Sequence, residues 1–366
     1  MKLKDLKVKI IDRYIMGKFL GTYLFAIALI IVVVVIFDAA EKMDDFVELK
    51  APLSSIAFEY YLNFIPFFIN QYSGLFTFIA VIFFTSKMAY NTEIIAILSG
   101  WVSFNRLMYP YFLSALAITA LSLMLSLFII PKANASRIDF EQHYIKRMVN
   151  VRYDTHIYRQ VEPGTFIYLR GFSGTNNSAS FFALETYGNG EKLSSLESAR
   201  VKYDPETGRW TGDRSISRKF IGGEEFFDNS QPLDTVINLN PMELGRVEET
   251  VKTMNIMELN QFIKEQKDKG SDMIAQFEVE RQNRFVYPLA TFMLTLIGVS
   301  LSSRKMRGGT GFHIGMGIVL CFSYILFSRF AEEFAKKGVL DPVISMWIPN
   351  IMYTVIAIYL YIKAPK

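Results

Sequence analysis

The sequence predicts an α-helical membrane protein of six transmembrane helices with an inserted all-β, jelly-roll-like domain. Three observations carry this. The 366 residues are 51% hydrophobic and only 20% charged, with a mean hydropathy of +0.23, too apolar for an ordinary soluble enzyme. The apolar residues fall in long charge-free runs rather than in a dispersed periodic pattern. A single polar stretch, 131–282, interrupts these runs and reads as short strands between turn clusters.

A hydrocarbon core of about 30 Å needs about 20 apolar residues of helix. Four runs qualify cleanly: 19–37, 107–130, 285–303 and 343–362. Two more qualify with irregularities. The run 60–86 is charge-free but carries Pro66, Asn70 and Gln71, and 310–328 is glycine-rich and contains His313. The first run could also be a secretory leader, because Lys2, Lys4, Lys7 and Lys9 precede it and Ala39-Ala40 follows. Its length exceeds the roughly 7 to 15 residues of a signal-peptide core, which favours a retained helix.

Lys and Arg set the expected orientation. With a cytoplasmic N-terminus, the inner segments hold Lys2, Lys4, Lys7, Lys9, Arg13, Lys18, Lys87, Arg106, Arg304, Lys305, Arg307, Lys363 and Lys366. The outer connectors hold only Lys42, Lys50, Arg284, Arg329, Lys336 and Lys337. Six spans then place both termini in the cytoplasm and residues 131–282 outside it. This insert carries 20 of the 39 basic and 23 of the 35 acidic residues, a net −3, which leaves +7 on the membrane segments (19 minus 12).

Within the insert, strands are expected at 164–170, 180–187, 199–203, 215–221 and 235–239. Asp204-Pro205-Glu206-Thr207-Gly208 is a strong turn, with Trp210 opening the return strand. Strands of this length and spacing suggest a sandwich or jelly roll. Helices flank them. Asn255 with Glu258 forms a capping box before Ile256, Leu259, Phe262 and Ile263, a helix expected to end at Gly270, and Ser271-Asp272 can cap another that runs into the fourth span. The domain organisation is therefore 1–130 (spans 1–3), 131–282 (the β domain on helical stalks) and 283–366 (spans 4–6).

Several functions are disfavoured. The single Cys321 excludes an intrachain disulfide, and His143, His156 and His313 show no metal-ligand spacing. Gly17-Lys18 lacks the upstream glycine of a phosphate-binding loop, so any ATP and Mg are expected on another chain. No GxSxG or comparable pattern marks a hydrolase. Nucleic acid is an unsuitable partner for an acidic insert and membrane-end bases.

The segment 91–101, Asn-Thr-Glu-Ile-Ile-Ala-Ile-Leu-Ser-Gly-Trp, is too apolar for a solvated loop between spans two and three. Asn91 or Thr92 can cap a short helix, and Gly100 can end it. Two readings stand: an interfacial helix on the membrane, or a knob docking into a groove on a cytoplasmic partner with Glu93 as its ionic contact. In the fifth span Gly311 and Gly315 have GxxxG spacing, with Gly317 close by, suited to packing between subunits or within one. Arg329 either pairs with Glu333 at the membrane edge or meets an anionic lipid headgroup, and Lys42 and Lys50 invite the same two readings.

These features resemble the LptF/LptG permeases of lipopolysaccharide export. The resemblance rests on Ile11-Asp12-Arg13-Tyr14-Ile15, on Asn91-Thr92-Glu93 through Ser99-Gly100, on Tyr203-Asp204-Pro205 through Trp210, and on a three-plus-three layout around one β insert. It implies a second related six-span subunit, a cytoplasmic ABC ATPase dimer that binds ATP and Mg, a single-span bitopic partner, and a periplasmic bridge protein. It implies Glu93, Thr92, Ser99 and Gly100 as the ATPase-coupling residues and spans one and five as a lateral gate. Lys42 and Arg329 are the headgroup candidates. The family often places bases at the outer end of span one, whereas here Asp38, Glu41, Asp44, Asp45 and Glu48 dominate.

The function so implied is that of a non-catalytic permease subunit, in the inner membrane, for ATP-driven extraction of lipopolysaccharide. Extraction must overcome roughly 0.8 kcal/mol per exposed CH₂, so it needs an apolar cavity and an outside source of work. Two alternatives remain: an ABC-type permease for another envelope lipid or lipoprotein, and a membrane-anchored sensor with a periplasmic ligand-binding β domain.

Overall fold

A computed structural model describes residues 8–145, 152–173, 177–188, 190–204, 207–229, 231–237, 247–268, 271, 273–303 and 309–364. The chain divides into two compact units. One comprises Met1–Met43, Ile56–Arg137 and Glu278–Lys366, and the other Asp44–Ser55 and Ile138–Phe277.

The first unit is helical throughout, and the second carries helices beside its strands. The chain runs α1 (Ile10–Glu48), the single turn α2 (Leu53–Ser55), a π-helical stretch Ile56–Tyr61, α3 (Leu62–Gln71), α4 (Ser73–Tyr90), α5 (Glu93–Ser99), α6 (Phe104–Met124), a π turn Leu125–Ile129 and α7 (Ile130–Tyr144). After the insert come α8 (Val247–Thr253), α9 (Ile256–Asp268), α10 (Ile274–Ser302), α11 (Gly309–Lys336) and α12 (Pro342–Ile362). Six helices are long and apolar enough to cross a membrane: Ile10–Glu48, Ser73–Tyr90, Phe104–Tyr144, Ile274–Ser302, Ile314–Lys336 and Pro342–Ile362. Each overlaps one of the six apolar runs.

The helices outlast those runs. α1 has 39 residues, about 58 Å at 1.5 Å per residue. Its outer flank begins with Ala39, Ala40, Glu41, Lys42 and Met43, all good helix formers, so the helix does not stop where the apolar run does. The third run continues past Pro131 into α7. The carbonyl that would clash with the Pro131 ring, Leu127, lies in the π turn, where the regular ladder is already interrupted. The second run, read as one span, is divided. α3 ends at Tyr72 (φ −107°, ψ 14°) and α4 starts at once, beside the kink-prone pair Ser73-Gly74. The last span opens on Asp341, whose carboxylate accepts from the Val343 and Ile344 amides before Pro342 fixes the first turn.

The second and fourth spans are innermost, with 72% and 67% of their apolar windows buried, against 17% for the first and 28% for the fifth. Two glycines allow the close approach. A Cβ on Gly298 would lie 2.8 Å from Val81 Cγ1, and one on Gly74 would lie 3.0 Å from Leu294 Cδ1. Around this pair lie two apolar clusters. One gathers Phe19, Phe84, Met88, Phe104 and Tyr111, and the other gathers Phe78, Leu294, Ile297, Tyr324 and Tyr353.

The second unit holds ten antiparallel strands in one sheet: β1 (Arg152–Glu162), β2 (Thr165–Ser173), β3 (Ser178–Ala179), β4 (Phe181–Gly188), β5 (Glu191–Ser198), β6 (Val201–Asp204), β7 (Arg209–Gly212), β8 (Ile216–Ile221), β9 (Glu224–Asp228) and β10 (Leu233–Val236). Their order is β10-β7-β6-β3-β2-β4-β5-β8-β9, with β1 also on β2. Trp210 on β7 and Phe182 on β4 are four strand spacings apart, about 19 Å in a flat sheet. Their rings lie 5.6 Å apart, so the sheet curls over on itself. Buried Trp210, Phe172, Phe182, Ile167, Leu169 and Tyr203 fill the curl, the roll that the strand spacing suggests.

The turn before Trp210 closes on Gly208, at φ +67°, whose amide donates to Asp204 O at 2.9 Å. Pro205 and Glu206 lie outside the described residues, as do Gly270, Asp272 and the 238–239 end of the last expected strand. The Asn255 capping box forms: Asn255 Oδ1 accepts from the Met257 and Glu258 amides at 2.9 Å, and the Asn255 amide donates to Glu258 Oε2 at 2.8 Å. Leu259 and Ile263 of α9 pack on Val251 and Phe277. Ser271 Oγ accepts from the Met273 amide at 3.3 Å, ahead of α10.

Candidate functional site

The segment 91–101 folds as the short helix α5 between α4 and α6. Its inner side is anchored by Ile94, fully buried among α1, α4 and α6 residues, with Ile97 and Leu98 partly buried beside it. The outer side presents Thr92, Ile95, Ala96, Ser99 and Gly100, all exposed, and ends in Trp101, 99% exposed. Two large apolar side chains, Ile95 and Trp101, are thus left open at one place.

The helix ends differ from expectation. Neither Asn91 nor Thr92 supplies a side-chain cap. Thr92 sits in the left-handed region (φ 62°), and its hydroxyl turns back to donate to Asn91 O at 2.6 Å, whereas an N-cap needs extended backbone to reach the next amides. Gly100 closes the helix by donating its amide to Ala96 O at 3.1 Å, yet it is not the left-handed residue. Trp101 takes that role at φ 61°. A bulky residue held there stores about 1–3 kcal/mol of strain.

Glu93 has partners in its own chain. Tyr14 Oη donates to Glu93 Oε2 at 2.7 Å, and Lys18 Nζ lies 3.1 Å and 3.3 Å from the two carboxylate oxygens. A second pair lies close by in the chain order. Arg106, at the start of α6, makes a bidentate contact with Asp12 of α1, both distances 2.6 Å, and the Asp12 side chain is only 1% exposed. Two ion pairs therefore pin the first turns of α1, one to α5 and one to α6. Sequence reading had no way to reach these pairs, because the partners are 75 and 94 residues apart. Lys18 and Arg106 entered it only as membrane-end charges.

Burial raises the Glu93 pKa, but the Tyr14 and Lys18 hydrogen bonds outweigh it, so the carboxyl titrates below its ordinary 4.5. A depressed acid stabilises the fold above its unfolded value and loses that contribution as pH falls through the folded value. Amide exchange over 93–99, corrected for intrinsic rates, is expected to quicken as pH drops below 4.5, and Glu93→Gln should remove that dependence.

The other site residues are placed as follows. Lys42 is engaged by Asp38 (2.6 Å) and Tyr60, with its ammonium 4.6 Å from the Tyr60 ring centroid. Arg329 pairs with Glu332 at 3.0 Å, not with Glu333. Glu332 is the buried acid of the two, shared by Lys336 at 2.9 Å. Beside Arg329, Tyr72 and Tyr287 lies a cavity of about 30 Å³, room for one water. Nothing among the described residues lies within 4 Å of a Cβ built on Gly311 or Gly315. On Gly317 it would meet Ile82 Cδ1 at 2.1 Å. The GxxxG glycines therefore face away from the chain's own helices, and Gly317 serves internal packing.

Six apolar helices and an inserted curled sheet define a multi-pass membrane protein with a β domain. The sequence matches the family described as lipopolysaccharide export system permease LptF/LptG over residues 13–363. The chain belongs to that family and is a multi-pass protein of the inner membrane. Among curated proteins, none matches it.

Proposed function

We propose that this permease subunit works in an ATP-driven complex that extracts lipopolysaccharide from the outer leaflet of the inner membrane and passes it to a periplasmic β-jelly-roll bridge. The observation that carries the coupling is α5: an apolar outer face ending in a strained, fully exposed Trp101, its inner face pinned to α1 through Glu93. That surface suits a groove on a cytoplasmic ABC ATPase dimer, which would hold the ATP and Mg. The positive-inside bias supports cytoplasmic termini and a periplasmic β domain.

Thr92, Ser99 and Gly100 belong to the docking face. Glu93 acts from behind it, relaying displacement of α5 to α1 through Tyr14 and Lys18. α1 and α11 carry the least covered apolar faces, and these meet a second related six-span subunit and line the lipid cavity. A single-span bitopic partner and a periplasmic bridge protein complete the assembly. Both candidates are ion-paired, and Arg329, with its side chain 44% exposed against 21% for Lys42, is the better headgroup contact.

The two glycine environments make separable predictions. Gly317→Leu is expected to lower the apparent melting temperature of the purified chain, since the new side chain collides with Ile82. Gly315→Leu should leave that temperature within a degree or two of native and reduce recovery of the second subunit, as seen by size-exclusion chromatography with mass detection.

Depletion of the chain followed by separation of the two membranes tests the function. Lipopolysaccharide accumulating in the inner membrane supports it. An unchanged distribution would point instead to another envelope lipid or lipoprotein, or to a sensor.

A further inference from the structure

We propose that a groove among α6, α10 and α12 is a binding site for the acyl tail of a membrane phospholipid. The groove holds about 700 Å³ and is walled by Met108, Phe112, Leu289, Phe292, Leu296 and Trp347. This is within the range of about 300–1,000 Å³ typical of ligand pockets. It rests on none of the coupling or cargo assignments above, only on the helices lying in a bilayer.

Shape selects the class of occupant. Trp347 and Tyr361 both line the groove and lie 14 positions apart on α12 (361 minus 347), about 21 Å along a helix. A volume of 700 Å³ over that length gives a mean cross-section of about 33 Å². An extended hydrocarbon chain lying along the helices fits such a groove.

The wall chemistry agrees. No Asp, Glu, Lys, Arg or His is among the residues lining it. Its polar groups are nearly all engaged elsewhere. Trp347 Nε1 donates to Gln282 Oε1 at 3.2 Å, and Asn350 Nδ2 donates to Val286 O at 3.1 Å. Asn350 Oδ1 accepts from Tyr324 at 2.8 Å, Thr354 donates to Asn350 O at 2.6 Å, and Tyr361 donates to Asn105 Oδ1 at 2.5 Å. Only the buried Thr295 hydroxyl has no partner among the described residues. Such a wall offers a headgroup nothing to bind and a tail a continuous apolar surface. Phe112 and Phe292, ring centroids 5.5 Å apart, form a rigid aromatic side to it.

The test is photolabelling. The full chain, with its co-purifying subunits, is placed in phosphatidylethanolamine and phosphatidylglycerol vesicles doped with a phosphatidylcholine carrying a tail diazirine. After irradiation, label should concentrate on peptides covering 289–296 and 347–357, above the level on the exposed α6 positions Leu121 and Met124, which lie outside the groove. Leu296→Trp and Met108→Trp, two independent fillings of half-buried wall positions, should each cut groove label about tenfold, equivalent to ~1.4 kcal/mol. Label at Leu121 and Met124 should not change, which confirms insertion and folding. Groove label no higher than that at Leu121 and Met124, or unmoved by either filling, would overturn the site. Label erased by adding lipopolysaccharide to the vesicles would overturn the phospholipid assignment.

Discussion

Trp101→Asp is expected to strip the ATPase from the purified complex while leaving the chain itself folded. The indole is 99% exposed, so its removal takes no packing from the monomer, and an aspartate at φ 61° is less strained than a tryptophan. At a protein interface, by contrast, a central aromatic contributes about 2–4 kcal/mol, and an aspartate in its place must be desolvated against apolar surface. Recovery of the ATPase in mild detergent should fall by about 30-fold or more, with the apparent melting temperature of the chain unchanged or raised. Ile95→Asp, on the same outer face, should act in the same direction. Glu93→Lys is a poorer probe of docking, because it sets a second ammonium against Lys18 and breaks the internal tie to α1. Loss of the ATPase from that variant would report a displaced α5 as readily as a lost contact.

Arg106→Ala is expected to be the most destabilising single change at the same end of the helices. It leaves the Asp12 carboxylate buried without its bidentate partner, and removing one member of a buried pair costs about 3–5 kcal/mol. Lys9 N still donates to Asp12 Oδ2 at 2.6 Å, which holds part of the loss in check. The double variant Asp12→Leu with Arg106→Leu removes both charges and should recover much of the stability. Thermal scans of the detergent-solubilised chain at one scan rate provide the comparison. A single variant as stable as native, or a double variant no better than the single, would show that the pair does not bear on stability.

The spans were legible in the sequence because a bilayer demands length and apolarity, and both can be counted. Their ends were not, since flanks such as Asp38 to Glu48 are polar yet helical. Within the β domain, β2, β4, β6, β7, β8 and part of β10 were recognisable from β-branched and aromatic residues bounded by turns. β5 (Glu-Lys-Leu-Ser-Ser-Leu-Glu-Ser) and the fully exposed edge strand β9 (Glu-Glu-Phe-Phe-Asp) are polar enough to read as loop. Their pairing is fixed by neighbours, not by their own composition. At the candidate site, α5 stood out because it was too apolar for its place, and Glu93 because it was the lone acid there. That Glu93 is satisfied from within, by Tyr14 and Lys18, depends on a fold that brings positions 14, 18 and 93 together. Trp101 was part of the segment, but neither its left-handed backbone nor its complete exposure is a property of the tryptophan alone.

The measurement that bears most directly on the permease function is ATP-dependent removal of lipopolysaccharide from vesicles holding the purified complex, comparing the native chain with Trp101→Asp. Native complex should transfer lipopolysaccharide to a soluble β-jelly-roll acceptor only when ATP and Mg are added, and the variant should transfer none. Transfer without ATP, or equal transfer by native and variant, would contradict coupling through α5.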